Sequence, residues 1–223
     1  MKKVLLILVA TAFSFSAAIA DVLVTAGVSA NMSGFAATGK ERNYDYAGTI
    51  AKTTVEYGAF KDSYSSIFAE VGNGTVGIGI SYVPTSIATP ENENTQVQSS
   101  NATSTTEKVQ VNFDDLTTIY AIARLPVWGM YVKAGVTQVD LAITETNASA
   151  NYNNTDTDGY TIGFGFEKDA GDTGMALRLE VMAHEFDDVN ANNGSAAGAA
   201  DANVIDVSDL IGATATISLV KNF

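Results

Sequence analysis

Few residues in this 223-residue chain can do chemistry near neutral pH. His184 is the only histidine and there is no cysteine, so thiol nucleophiles, thiolate metal sites and disulfides are excluded. A histidine works as a general base when a nucleophile or an orienting acid is within reach. Glu185 adjoins it in sequence, but successive residues on a strand point to opposite faces. No Gly-x-Ser-x-Gly stretch supplies a nucleophile. The run from Asn154 through Asp156 and Asp158 to Gly159 has the spacing of the first half of a calcium loop. Its twelfth position, where a bidentate Glu is required, is Gly165. The expectation is therefore no catalytic residue, no cofactor and no metal, with His184 a polar filler. The charged residues that stand out, Glu70, Arg124, Lys133, Arg178 and Glu180, have pairing rather than catalysis as their chemistry.

Alternation with a period of two places those five. Val24, Val28 and Met32 share a face against Thr25, Ser29 and Asn31, and Ile67 and Val71 oppose Phe68 and Glu70. Ile119, Ala121 and Ala123 oppose Tyr120 and Arg124, Val132 and Val136 oppose Tyr131 and Lys133, and Leu177 and Leu179 oppose Arg178 and Glu180. This is the signature of strands with one apolar and one small or polar face. Candidate strands cover residues 22–35, 59–71, 75–87, 109–125, 130–144, 160–167, 175–186 and 212–223. Polar stretches at about 38–58, 88–107, 145–159 and 187–203 alternate with short turns at 72–74, 126–129 and 168–174. Both chain ends of the sheet then lie at the short-turn end. Glu70, Arg124, Lys133 and Arg178 all fall close to those turns on the polar face, with Glu180 slightly farther along. If that face points inward, the five converge in one band and pair across it. The many inward glycines then leave space for water.

The termini narrow the class. Lys2 and Lys3 precede an apolar run from Val4, and Ala18 and Ala20 form a small-x-small site before Asp21. That is the plan of a secretory signal peptide, residues 1–20, with residues 21–223 as the mature domain. The whole chain has 12 basic and 25 acidic residues. Without Lys2 and Lys3 the mature part keeps 10 basic residues, a net charge of −15, which argues against a nucleic-acid partner. Reading backward from the end, Phe223, Leu219, Ile217 and Ala215 share one face.

A half-polar last strand ending on an aromatic residue resembles the closing strand and assembly signal of Gram-negative outer-membrane β-barrels. Lys221 departs from that pattern, standing where the family usually has an apolar or aromatic residue. The whole pattern of eight strands with long and short connections is similar to the small eight-stranded family that includes the outer membrane protein A barrel, outer membrane protein X and the opacity-like proteins. The resemblance implies an all-β fold, an eight-stranded antiparallel up-and-down transmembrane β-barrel, located in the outer membrane of a Gram-negative bacterium. It implies contact with outer-membrane lipid, engagement of the barrel-assembly machinery through Ala215, Ile217, Leu219 and Phe223, and an extracellular partner for the acidic loops. Two girdles of interface aromatics are expected: Tyr82, Phe113 and Tyr160 toward the loops, and Trp128, Phe166 and Phe223 toward the turns. Three functional classes stand open: a structural or surface-interaction barrel with a lumen filled by side chains, a narrow porin-like channel, and a lipid-modifying enzyme, for which no catalytic set is found. The first is preferred because an eight-stranded barrel is only wide enough for side chains.

Overall fold

The computed structural model describes residues 22–44, 47–97, 104–146, 152–195 and 203–223. The expected signal peptide lies outside these residues. Eleven strand segments form one sheet. They are β1 (Leu23–Tyr44), β2 (Ile50–Gly72), β3 (Val76–Tyr82), β4 (Ile87–Ala88), β5 (Asn92–Val97), β6 (Ser104–Arg124), β7 (Met130–Thr146), β8 (Thr155–Asp169), β9 (Met175–Phe186), β10 (Val189–Asn192) and β11 (Asn203–Asn222). Every pairing is antiparallel. β3, β4 and β5 are successive pieces of one stave along β6, and β10 continues β9 along β11. The result is a ring of 8 strands closed by β1 on β11, from Thr25↔Asn222 to Asn43↔Asn203. Among the described residues no helix is long and apolar enough to cross a membrane.

The alternation decides which face turns outward. Val28, Met32, Ile67, Val136, Ile162, Leu179, Val181 and Ile217 are all exposed on the outside of the ring. Thr25, Ser29, Asn31, Ser66, Glu70, Lys133, Arg178 and Glu180 are buried inside it. This is the inverse of a soluble protein, and it is the arrangement that hydrocarbon requires: apolar outside, with every strand of the span paired to neighbours on both sides.

Two expectations about the loops need correction. The stretches at 38–58 and 88–107 are largely paired strand. β1 and β2 run on together to Asn43↔Lys52, and β5 pairs with β6 from Asn92↔Val109 to Val97↔Ser104. Crossing the hydrocarbon takes about 9–11 residues per strand, so the 22 residues of β1 and 23 of β2 reach well beyond it. Beyond the bilayer neither face needs to be apolar, so a polar ribbon can carry backbone pairing without the alternation that betrays a strand. From Ile50 to Ser66, β2 pairs only with β1 among the described residues, because β3 joins it at Ile67↔Tyr82.

Phe113 is the third correction. It lies inside the ring, 4% exposed, and not at an interface. The β6–β7 register shifts between Asp114 and Thr117, and Asp115 takes a positive φ of 52°. This bulge inserts a residue and reverses the facing of everything above it. Tyr120 and Leu116 below it, and Phe113 above it, therefore all point inward.

The outward face generates a direct test. Leu179, 54% exposed, sits in the apolar band of β9. Leu179→Arg should cost about 2–4 kcal/mol of folding stability in lipid vesicles. Glu185→Arg, at the loop end of the same outward row, should fold like the unmodified protein. Equal folding yields of Leu179→Arg and the unmodified chain would contradict the facing.

Candidate functional site in the barrel lumen

Three layers fill the lumen. The layer nearest the short turns is built from charge. Arg178 is 1% exposed and fully enclosed. Its guanidinium donates from Nη1 to Glu70 Oε1 at 2.7 Å and from Nη2 to Glu70 Oε2 at 3.0 Å. It also donates from Nε and Nη2 to Glu167 Oε2 at 3.0 and 2.6 Å. Arg124 Nη2 reaches Glu70 Oε2 at 3.2 Å. Lys133 Nζ is 2.7 Å from Glu180 Oε2 and 3.9 Å from Glu70 Oε1. Glu70, Arg124, Lys133, Arg178 and Glu180 thus stand in one connected network.

Three further residues join this group, of which the alternation had put Tyr120 and Tyr131 on the polar face. Glu167 is the second carboxylate of Arg178. Tyr120 donates its hydroxyl to Glu70 at 2.8 Å, and Tyr131 donates to Glu180 at 2.7 Å. The signal for Glu167 was readable, since it is a charge on the lumen face of β8 beside a short turn. With it, three acids face three bases. Removing charges from water is costly unless they are paired and fully hydrogen-bonded. Here the bidentate Arg178–Glu70 fork and the two phenols meet that requirement. Lys133 Nζ also lies 4.3 Å from the centre of the Tyr120 ring, and Arg178 Cζ lies 5.1 Å from that of Tyr131.

Local sequence explains how such large groups fit. Gly165 faces Tyr131 across the β7–β8 ladder, and Gly79 faces Tyr120 across β3–β6. A Cβ on Gly165 would meet Tyr131 Cζ and Oη at 2.2 Å, and one on Gly79 would meet Tyr120 Cζ at 2.6 Å. The phenol rings lie flat over bare backbone. The expectation that inward glycines leave room for water fails at these positions, because aromatic rings occupy that space.

Above the charges, Ser29, Asn31, Ser66, Thr118, Thr161 and Thr216 surround a cavity of about 40 Å³, room for a few waters. Asn31 bridges its wall, donating to Ser66 Oγ at 3.0 Å and accepting from Thr216 at 2.8 Å. Toward the loops the lumen turns apolar. Phe35, Phe113, Leu116, Val139, Phe186 and Leu210 form a buried cluster, with Phe35 stacked on Phe60 at 5.3 Å and on Phe113 at 5.6 Å. His184 lies in this region, its Nε2 2.9 Å from Thr214 Oγ1.

The remaining sequence candidates lie on the outside. Trp128, Tyr160, Phe166 and Phe223 are 87%, 67%, 37% and 71% exposed, and the Tyr82 hydroxyl donates to Asp115 at 2.6 Å. Ala215, Ile217, Leu219 and Phe223 face outward on β11. Lys221 donates to the Thr173 carbonyl in the β8–β9 turn at 2.7 Å, which places its charge at the turn end rather than in hydrocarbon. The stretch at 154–159 is mostly strand β8, and among the described residues no group of acids and histidine could hold a metal ion.

Two outcomes follow. Glu70→Gln removes an acid from Arg178 and Arg124 and should lower stability to urea by about 3–5 kcal/mol, the range for breaking a buried pair. Lys133→Met in that background should give no rescue, since the short bond of Lys133 is to Glu180; recovery would refute the pairing. Gly165→Ala should cost about 1–3 kcal/mol by overpacking against Tyr131, whereas Gly58→Ala, with nothing near its Cβ, should be close to neutral in the same urea assay.

No family model matches the sequence, and no curated protein matches it. Solved structures do. The outer membrane protein OprG from Pseudomonas aeruginosa superposes with a TM-score of 0.52 at 14% identity, over 88% of this chain and 96% of that one. The outer membrane protease OmpT from Escherichia coli gives 0.46 at 10% identity, over 90% and 97%. Ail, the attachment invasion locus protein of Yersinia pestis, gives 0.39 at 10% identity, over 88% and 99%. At these identities the likeness is one of architecture, and it rests on OprG. A closed ring with an apolar exterior and a polar, charge-paired lumen has the same meaning: the fold is that of a small, eight-stranded outer-membrane β-barrel.

Proposed function

We propose that the protein is a closed structural barrel of the Gram-negative outer membrane, without enzymatic activity, that anchors a rigid extracellular ribbon for contact with an outside partner. Its outward belt meets lipid, and the alternate residues of β11 ending at Phe223 engage the barrel-assembly machinery. The observation that carries this reading is the double closure of the lumen. An apolar layer centred on Phe35 and Phe113 lies above the small polar cavity, and the charge network lies below it. A solute crossing the barrel would have to displace both.

The paired ribbon of β1 and β2 supports the surface role. Near its tip β1 is tied to β11 by an ion pair between Arg42 and Asp206 at 2.5 Å. Lys108 on β6 is held by Glu93 at 2.7 Å and Glu91 at 3.1 Å. These carboxylates raise the Lys108 pKa, Glu93 first. Such exposed pairs add little stability, but they fix the orientation of a projecting surface.

The narrow-channel reading makes the opposite prediction in planar bilayers. Purified, refolded protein should show no steady conductance at neutral pH. Glu70→Gln alone should also remain closed, because the apolar layer above it is intact. Phe35→Ala combined with Phe113→Ala should likewise stay closed while the charge network below is intact, and adding Glu70→Gln to that pair should conduct. Steady current through the unmodified barrel would overturn the closed-lumen reading in favour of the channel.

A further inference from the structure

The closed-lumen reading leaves one titratable group unused. His184 is 8% exposed and sits against the apolar layer, its ring 6.3 Å from Phe186 and 6.5 Å from Phe35. Its Nε2 pairs with Thr214 Oγ1 at 2.9 Å. Thr214 pairs with Ser33 at 2.7 Å, and Ser33 with the Tyr64 hydroxyl at 2.8 Å. Among the described residues Nδ1 has no hydrogen-bond partner and no access to solvent.

A neutral imidazole suits this environment. With the proton on Nε2, the ring donates to Thr214 and leaves only a bare Nδ1 lone pair against apolar neighbours. A protonated ring has two N–H donors, and the second would point into a layer of phenylalanine with nothing to accept it. The surroundings offer little compensation. Glu180 on the same strand is already held by Lys133 and Tyr131. β2 presents Tyr64, engaged with Ser33, and Asp62. The lumen-facing neighbours on β1, β8 and β11 are Ser33, Phe35, Gly159, Thr161, Gly212 and Thr214, none of them charged.

We infer that His184 is an acid-sensitive latch for the apolar layer: the layer is closed while the ring is neutral and opens when protonation puts a second N–H, without an acceptor, among Phe35 and Phe186. The inference rests on the reading of that layer as the seal of the lumen. Opening lets water reach Nδ1 and joins the loop side to the small polar cavity below. Because an ionised group left without partners strongly disfavours the closed form, the open population should rise by roughly tenfold or more once the ring is charged.

The test is conductance in planar bilayers of the refolded Glu70→Gln barrel, whose charge layer is broken while the apolar layer remains, at neutral pH and at about pH 4.5, below the usual histidine range. His184→Gln retains a donor for Thr214 but cannot titrate, and His184→Phe substitutes a ring that suits the layer, so one variant suffices if the other folds poorly. The expected result is a Glu70→Gln barrel that is closed at neutral pH and conducts in acid, with both His184 variants in that background closed in both conditions. Acid-induced current that persists in the variants would overturn the latch, because protonation of the carboxylate network would then be responsible. A Glu70→Gln barrel that stays closed in acid would overturn it too and leave the closed-lumen reading standing. Current already present at neutral pH would instead sink the closed-lumen reading, and the latch with it.

Discussion

A sheet inside hydrocarbon cannot keep an open edge, because no water is there to satisfy unpaired N–H and C=O groups. The pairing of β1 with β11 meets that constraint by joining the two ends of the ring from Thr25↔Asn222 upward. Once the ring closes, the outside must be apolar and the inside is a confined space for everything else. Eight strands leave a bore about one side chain deep on each wall. Every inward charge therefore has to find its partner across that bore, and every gap has to be filled by a neighbour. The Arg178–Glu70 fork and the stacked Phe35 and Phe113 are two solutions to that one confinement, polar at one end and aromatic at the other.

The facing of the residues was legible in the sequence because a strand's side chains alternate strictly. Glu70, Lys133, Arg178 and Glu180 could be put on one face and near the short turns from residue counts alone, and the structure brings them within bonding distance. Phe113 was not legible. Its facing depends on the extra residue at Asp115, and nothing in the local pattern separates a bulge from an interruption of alternation. The extent of β1 and β2 was also hidden. Outside the bilayer both faces of the ribbon meet water, so Lys40, Glu41 and Arg42 read as loop while their backbone continues the ladder.

Register was the larger gap. Glycine at an inward position reads as empty space when strands are considered singly. Lateral pairing shows otherwise: Phe68 lies opposite Gly27, Tyr120 opposite Gly79, Tyr131 opposite Gly165 and Phe35 opposite Gly212. In each case a ring occupies the volume that a Cβ on the glycine would need. Aromatic residues laid over cross-strand glycines are a known way to pin a curved sheet. This device is a property of two strands together, so it appears only when the register is known. It also removes the main support for a water-filled bore.

The charge network draws its members from β2, β6, β7, β8 and β9, and the Arg178–Glu70 fork joins residues 108 apart in sequence. No single hairpin can assemble it, since the fork needs β2 and β9 to share one lumen. Contacts of this kind form late, when most of the loop-closure entropy has already been lost. Interactions absent from the transition state slow unfolding while leaving the folding rate nearly unchanged. The buried ions therefore contribute chiefly to how long a finished barrel survives in the membrane, while the apolar exterior governs how readily the chain enters it.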